Sequence, residues 1–223
     1  MISMMRKMLW QATWLVWRPL LEIFCHFRID GREHCGNISG PFIMMANHTH
    51  YLDSYTLSAA MPLRNNIFPI HFLTDVFYVK MPVLGRIVKA YSAIPMERGL
   101  GMEKNLEESE RILRRGGVVG IFPEGHLEKK EGVFLPVKPG IALLGIRSGV
   151  QILPVAISGH IGLTVSKFFL RRARITVVFG KPFIMREIAP TLSVAAAKED
   201  LAKSAELAMR RVEELYRDGI KLE

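Results

Sequence analysis

Short apolar runs alternate with helical patterns along most of the chain, and this alternation constrains the fold more than any other feature. The runs typical of buried strands are PFIMMAN (41–47), VVGIFPEG (118–125), QILPVAI (151–157) and RITVVFG (174–180). Helical patterns lie between and before them, at 54–61, 83–91, 102–115 and 140–149, and a closing helix is predicted over 193–217. Strands that alternate with helices are typical of α/β proteins. We therefore predict a single α/β domain with a mixed central sheet flanked by helices.

Two further strands are predicted with weaker patterns. NIFPIHFLT (66–74) contains Pro69, which lacks the backbone N–H that a central strand needs, so we expect an edge or irregular strand. SAIPM (92–96) is a short strand that ends just before Glu97 and Arg98.

The first 28 residues are predicted to form a separate membrane-interfacial segment ahead of a catalytic domain over 29–223. Polar residues interrupt its apolar run, so it falls short of the roughly 20 apolar residues that a spanning helix requires. Trp10, Trp14 and Trp17 are the only tryptophans of the protein, and tryptophan favours the interfacial zone of a bilayer. We expect an amphipathic helix, or a short helical pair around Pro19, lying in one leaflet. The alternative is an N-terminal helix packed on the core.

The chain is also basic, which favours an anionic partner. Its 30 Lys and Arg against 21 Asp and Glu give a formal charge of +9. The stretch SKFFLRRAR (166–174) interleaves aromatic and basic residues, a pattern that suits a bilayer surface, a phosphorylated donor or simply a solvated hairpin.

The run ANHTHYLDS (46–54) carries the densest set of reactive side chains, and three interpretations of it are open. His48, His50 and Asp53 could be metal ligands, although no convincing further ligands follow in the sequence. They could be the polar end of a buried strand. They could also form an acid–base pair, because a carboxylate bonded to one imidazole nitrogen fixes the tautomer and raises the basicity of the ring.

Four motifs together resemble the glycerolipid acyltransferases, in particular the 1-acylglycerol-3-phosphate acyltransferase (PlsC-like) family. NHxxxxD is matched by Asn47, His48 and Asp53, and a short strand ending in arginine is matched by SAIPMER with Arg98. FPEG is matched by 122–125, and an apolar strand centred on proline by ILPVAI. The resemblance covers roughly residues 35–180.

The resemblance implies a mechanism with His48 as general base and Asp53 as the residue that holds it. The base removes the proton of a lysolipid hydroxyl, whose oxygen then attacks the thioester of acyl-CoA or acyl-carrier protein; no metal or other cofactor is expected. Arg98 is expected to contact the acceptor phosphate, with Glu124 accepting hydrogen bonds from glycerol hydroxyls or orienting Arg98. The expected substrate-binding residues are Asn47, Arg98, Phe122, Pro123, Glu124, Gly125 and Lys138. For Lys138 the alternative is a solvated lysine.

Two departures from the family pattern concern the acceptor. The family often continues FPEG with Thr-Arg-Ser, where this chain has His126, Leu127 and Glu128, and it often has serine where His50 stands. The acceptor is therefore lysophosphatidic acid or another lysolipid, such as a lyso-ornithine lipid, a lysophospholipid or a glycolipid.

The expected partners are an anionic membrane surface, the lysophospholipid acceptor and the thioester donor, with no nucleic acid. The expected location is the cytoplasmic face of the inner (plasma) membrane, in monotopic association. A non-catalytic lipid- or nucleic-acid-binding protein is the alternative from another class.

Overall fold

Seven strands form one central sheet in the computed structural model, which describes residues 2–36, 38, 40–64, 67–128, 130–171 and 173–220. The strands are β1 (Cys25–Asp30), β2 (Phe42–Ala46), β3 (Ile70–Asp75), β4 (Ile94–Met96), β5 (Val118–Ile121), β6 (Gln151–Ser158) and β7 (Ala173–Phe179). Their order across the sheet is β1-β7-β6-β2-β5-β3-β4. Neighbouring strands are parallel except for the antiparallel pair β6 and β7. The predicted α/β fold with a mixed sheet is confirmed.

Helices cover both faces of the sheet. They are α1 (Ile2–Phe24), α2 (Arg32–Gly36), α3 (Asp53–Ala60), α4 (Val76–Lys80), α5 (Leu84–Ala90), α6 (Met102–Arg114), α7 (Gly140–Ser148), α8 (Val165–Phe169), α9 (Met185–Ile188) and α10 (Lys198–Ile220). Side chains alternate between the two faces of a strand, which divides the core into two layers. Ile43 and Met45 of β2 pack with the layer under α6, α7, α9 and α10. Phe42 and Met44 pack with the layer that contains Trp10 of α1 and Leu57 of α3.

The tryptophans of α1 face the protein, contrary to the prediction that they lie in a leaflet. Trp10 is 2% exposed and donates from its ring nitrogen to the carbonyl of Tyr91 at 3.3 Å. Trp14 donates to the carbonyl of Met61 at 2.9 Å, and the ring of Trp17 stacks on a phenylalanine of α8. The indole rings reach these partners because α1 packs along α3 and β1. This face of α1 therefore matches the alternative stated above, an N-terminal helix packed on the core.

The opposite face of α1 is an exposed apolar stripe. Residues three or four apart lie on one side of a helix. The large exposed apolar side chains of α1 follow that spacing: Met4, Met5, Met8, Leu15, Val16 and Ile23. The helix runs through Pro19 without a break and ends at Phe24, and residues 25–28 belong to β1. The predicted helical segment 1–28 is therefore four residues too long. Within the described part of the chain, no helix combines the length and apolarity needed to cross a bilayer.

The strand predicted over 66–74 is neither irregular nor at an edge. Strand β3 begins at Ile70, just after Pro69, and lies between β5 and β4, while Asn66 is outside the described residues. The proline precedes the paired residues, so its missing N–H removes no ladder bond. Arg172 of the predicted basic stretch also lies outside the described residues.

Candidate active site

The NHxxxxD and FPEG motifs meet at one edge of the sheet. Strands β2 and β5 are parallel neighbours, with Met45 opposite Ile121. Parallel strands end at the same edge, so His48 and Glu124 follow side by side although 76 residues separate them in sequence. The backbone N–H of His48 donates to a carboxylate oxygen of Glu124 at 3.1 Å.

Asp53 begins α3 and is the centre of the site. Its side chain is completely buried and its Oδ2 accepts from Nδ1 of His48 at 2.9 Å. The same oxygen accepts from the backbone N–H groups of Thr49 at 2.6 Å and His50 at 2.8 Å. The five-residue separation therefore forms a tight turn that closes around the carboxylate. The predicted juxtaposition of His48 and Asp53 is present.

These contacts keep Asp53 ionised. Burial acts to raise the pKa of Asp53, but hydrogen bonds from His160 and His48 outweigh it and hold the pKa well below the ordinary value. An ionised carboxylate only accepts hydrogen bonds, so Nδ1 of His48 carries the proton and Nε2 is the nitrogen available to act as a base. The His48 side chain keeps 20% of its surface exposed, which leaves a path for a substrate.

Asn47 fixes the end of β2 to β6. Its side-chain amide donates to the carbonyl of Ile157 and accepts from the N–H of the same residue, both at 2.9 Å. Asn47 is 3% exposed. Both polar atoms of the Asn47 side chain are thus used to position the end of β2. The sequence had predicted a substrate contact for Asn47 instead.

Phe122 supports the imidazole ring of His48. The two rings are stacked with centroids 4.0 Å apart and planes 12° from parallel, and Phe72 stacks behind Phe122 at 5.5 Å. One face of His48 is thereby covered by an aromatic surface, which restricts its side-chain rotation.

Glu124 connects the two motif loops and is 2% exposed. Its Oε1 accepts from the N–H of His48, and its Oε2 accepts from the N–H of Leu135 at 2.8 Å. The expectation that Glu124 binds glycerol hydroxyls or orients Arg98 does not match this geometry, because both oxygens are directed to backbone groups. Burial raises the pKa of Glu124 to about 7, against the lowering effect of the two backbone bonds.

Gly125 and Lys138 form the outer side of the FPEG turn. Gly125 has a positive φ of 68°, and a β-carbon there would collide with the side chain of Lys138. The N–H of Lys138 donates to the carbonyl of Pro123 at 2.9 Å. The exposed Lys138 ammonium group thus lies over a glycine of the motif.

Arg98 follows β4 at the same edge of the sheet but stands apart from His48. Three strand spacings separate β2 from β4, about 14 Å at ~4.8 Å per spacing. The Arg98 side chain is 81% exposed and pairs with Asp75 at 3.4 Å. To reach a phosphate near His48, Arg98 would have to leave Asp75 and turn inward.

His160, on the loop after β6, is a part of the site that the sequence did not reveal. It is completely buried, and its Nδ1 lies 2.6 Å from Oδ1 of Asp53. Its signal in the sequence is only its place two residues beyond a strand, and 107 residues separate it from Asp53. No group of three or more His, Cys, Asp and Glu side chains in the described part of the chain is arranged to hold a metal ion.

Comparison with known proteins identifies the family of this chain. The family model described as Acyltransferase matches residues 26–158. The chloroplastic 1-acyl-sn-glycerol-3-phosphate acyltransferase LPAT1 of Arabidopsis thaliana is 26% identical over 163 residues, which are 71% of this chain and 44% of that protein. The chain therefore spans less than half the length of this plant relative.

A bacterial relative matches over nearly its whole length. The 1-acyl-sn-glycerol-3-phosphate acyltransferase of Bacillus subtilis is 23% identical over 199 residues, 89% of this chain and 92% of that protein. The crystal structure of the 1-acyl-sn-glycerophosphate acyltransferase PlsC from Thermotoga maritima superposes with a TM-score of 0.67 at 20% identity, covering 94% of this chain and 80% of that one. The fold is shared.

Proposed function

The chain belongs to the Acyltransferase family, and from this premise we propose that it moves a fatty acyl group from a thioester to the free hydroxyl of 1-acylglycerol-3-phosphate, giving phosphatidic acid. The observation that carries the proposal is the bond between Nδ1 of His48 and Oδ2 of Asp53 at 2.9 Å, inside a motif of the family. The names of the plant and bacterial relatives supply the acceptor.

In the proposed reaction, Nε2 of His48 removes the hydroxyl proton of the lysolipid. The oxygen attacks the thioester carbonyl of acyl-CoA or acyl-carrier protein, the new C–O bond forms, and the C–S bond breaks. The proton held on His48 passes to the departing thiolate. Asp53 stabilises the imidazolium in between, and base catalysis of this kind contributes about 10²- to 10⁴-fold.

Two basic residues are proposed for the acceptor phosphate. Lys138 is the nearer one, because it lies over Gly125 in the loop that Glu124 ties to His48. Arg98 is the second, on condition that phosphate replaces Asp75 as its partner. A guanidinium presents donors that match phosphate oxygens, and an exposed ion pair is readily exchanged.

We propose that the exposed stripe of α1 rests in the surface of an anionic membrane, on the side of the sheet opposite α10. Exposed apolar residues of α8 extend this stripe, since Phe169 contacts Phe24 with ring centroids 5.1 Å apart and is 58% exposed. Taking a 16-carbon chain into water costs on the order of 11 kcal/mol at ~0.8 kcal/mol per methylene. Contact with the leaflet lets the substrate chains stay in lipid.

The second candidate keeps the chemistry and changes the acceptor to another lysolipid. It is favoured by the residues after FPEG, where Leu127 stands in the position that the family often gives to arginine. Leucine offers a phosphate no donor, so a different headgroup is a reasonable acceptor.

The test is an acceptor panel. Purified protein with vesicles, labelled acyl-CoA or acyl-carrier protein, and a series of lysolipids is followed by mass spectrometry of the products. We expect phosphatidic acid as the main product, and at least about 10²-fold less of it with the His48→Ala variant. A product from another lysolipid alone favours the second candidate, and no product from any acceptor rejects acyl transfer.

A further inference from the structure

We infer that His160 is a positioning residue that holds Asp53 in place for His48. This inference rests on the proposed acyl transfer. It begins from the shared carboxylate: Oδ2 of Asp53 faces Nδ1 of His48, and Oδ1 faces Nδ1 of His160. Two imidazoles therefore hold one aspartate, and only one of them has exposed surface.

The contact between His160 and Asp53 is short and sealed from solvent. The two atoms are 2.6 Å apart, and both side chains are 0% exposed. Hydrogen bonds to a charged group in a water-excluded site are stronger than those at the surface. His160 is the one side chain in the described part of the site that engages Oδ1, because the other three donors to Asp53 all meet Oδ2.

A second contact lies at the other ring nitrogen of His160. Its Nε2 lies 3.2 Å from the hydroxyl of Thr56, which is also fully buried. The ring nitrogen of Trp17, a donor only, lies 3.5 Å from the same hydroxyl oxygen. Because the ionised carboxylate of Asp53 only accepts, Nδ1 of His160 carries a proton and donates to it. The Thr56 hydroxyl can then donate to Nε2 of His160 while its oxygen accepts from Trp17.

The chain of bonds runs from α1 to the base. Trp17 donates to Thr56, Thr56 to His160, His160 to Asp53, and His48 donates to the other oxygen of Asp53. The hydrogen bond from His160 to Oδ1 prevents the carboxylate of Asp53 from rotating away from His48.

Besides Asp53, the titratable groups beside His160 in the described structure include His50 and Glu131, whose carboxylate accepts from the N–H of Gly159 at 2.8 Å. The ring of His50 lies 5.6 Å from the ring of His160, and burial lowers the pKa of His50. His50 is therefore neutral at pH 7, and it does not replace the hydrogen bond that His160 gives to Asp53.

The experiment compares His160→Phe, which keeps a ring but removes the donor, with His160→Asn, whose amide nitrogen can occupy the place of Nδ1. His71→Phe is the matched control, since His71 is a half-buried histidine outside the site whose ring forms a hydrogen bond with the carbonyl of Ser92. Thr56→Val is a further variant that frees the tautomer of His160 with little change of shape.

We expect His160→Phe to lower kcat by about 10- to 100-fold with KM for the lysolipid within about 2-fold. The acid limb of its pH–rate profile should move upward, because the unpaired Oδ1 concentrates charge near the His48 cation. His160→Asn should recover most of kcat, Thr56→Val should lose several-fold, and His71→Phe should match the wild type.

Two outcomes would overturn the inference. One is a folded His160→Phe variant with wild-type kcat. The other is a loss of kcat in His160→Phe that His160→Asn does not restore and that leaves the pH–rate profile unchanged. A purely structural role of His160 would give that result. If the wild type transfers no acyl group at all, the proposed function fails. NMR titration of the His48 ring in the wild type, His160→Phe and His160→Asn still tests the inference, because the midpoint of the His48 titration should shift in His160→Phe.

Discussion

Replacing Asp53 by asparagine perturbs the site with the least change of shape. Asp53 accepts four hydrogen bonds, three on Oδ2 and one on Oδ1, at 2.6 to 2.9 Å. Asparagine keeps one accepting oxygen and presents an amide group in place of the other. With the oxygen on the side of His48, Thr49 and His50, three bonds lose their charge assistance and the amide faces His160.

The size of the effect follows from these bonds. A hydrogen bond to a charged group contributes about 1.5–3 kcal/mol and a neutral one about 1 kcal/mol. Three weakened bonds and the lost bond from His160, whose Nδ1–H then faces an amide donor, are partly offset because a neutral amide is easier to bury. The loss in the free energy of unfolding for Asp53→Asn is therefore at least about 3 kcal/mol. For catalysis, the stabilising charge beside the His48 cation is lost, so we expect kcat to fall by about 10²- to 10³-fold.

The pH dependence gives a sign that can be checked. The pKa of Asp53 is lower in the folded protein than its ordinary value of 3.8, so its contribution to stability is complete above about pH 4. It is lost as the pH falls below that value toward the folded pKa. The difference in unfolding free energy between wild type and Asp53→Asn should therefore shrink as the pH falls from 5 to 3.

The assay is urea unfolding at each pH, with acyl transfer to a lysolipid at pH 7. Asp30→Asn is the control, because Asp30 is a partly exposed carboxylate paired with Arg28 on an edge strand, 2.7 Å away. It should change stability by less than about 1 kcal/mol. An Asp53→Asn variant as stable as the control, with kcat within 3-fold of wild type, would refute this account of the carboxylate.

Three more changes test Glu124, the exposed stripe of α1 and Arg98. Burial raises the pKa of Glu124 from 4.5 to about 7 in the folded protein. The stability of the wild type relative to Glu124→Gln, measured by urea unfolding, should therefore fall by about 3 kcal/mol between pH 5 and pH 8. A difference that stays constant over this range contradicts the burial of the Glu124 carboxyl group. Leu15→Glu should weaken co-sedimentation with anionic vesicles several-fold, whereas Leu207→Glu, an exposed apolar site on α10, should not. Arg98→Ala should raise KM for lysophosphatidate about 10-fold with unchanged stability, while Arg217→Ala, also an exposed cation in an ion pair, should leave KM unchanged.

The sheet and the dyad could be predicted from the sequence because their signals are local. Continuous apolar runs mark strands that are buried on both faces, as β2 and β5 are. A five-residue separation between a strand and a helix also limits where His48 and Asp53 can lie. The family motifs also predict that FPEG belongs to the site. FPEG lies beside His48 because β2 and β5 are parallel neighbours, whose ends lie at one edge of the sheet.

Other features depend on contacts between distant residues, and the sequence pattern does not contain them. His160 reaches Asp53 only because β2 and β6 pair with Ala46 opposite Val155. Strand β1 continues the apolar character of α1, so a residue such as Cys25 looks helical until its pairing with β7 is known. Both faces of α1 are apolar, and hydrophobicity alone could not tell that the face with Trp10 turns inward.

The most direct measurement is the turnover rate of His48→Ala in the acyl-transfer assay, with the fold checked by circular dichroism. The matched control is His34→Ala, a partly exposed histidine of α2 whose ring lies 3.8 Å from Glu33. Our account predicts a loss of about 10²- to 10⁴-fold for His48→Ala and no loss for the control. A folded His48→Ala protein that transfers acyl groups at the wild-type rate would contradict the assignment of His48 as the base.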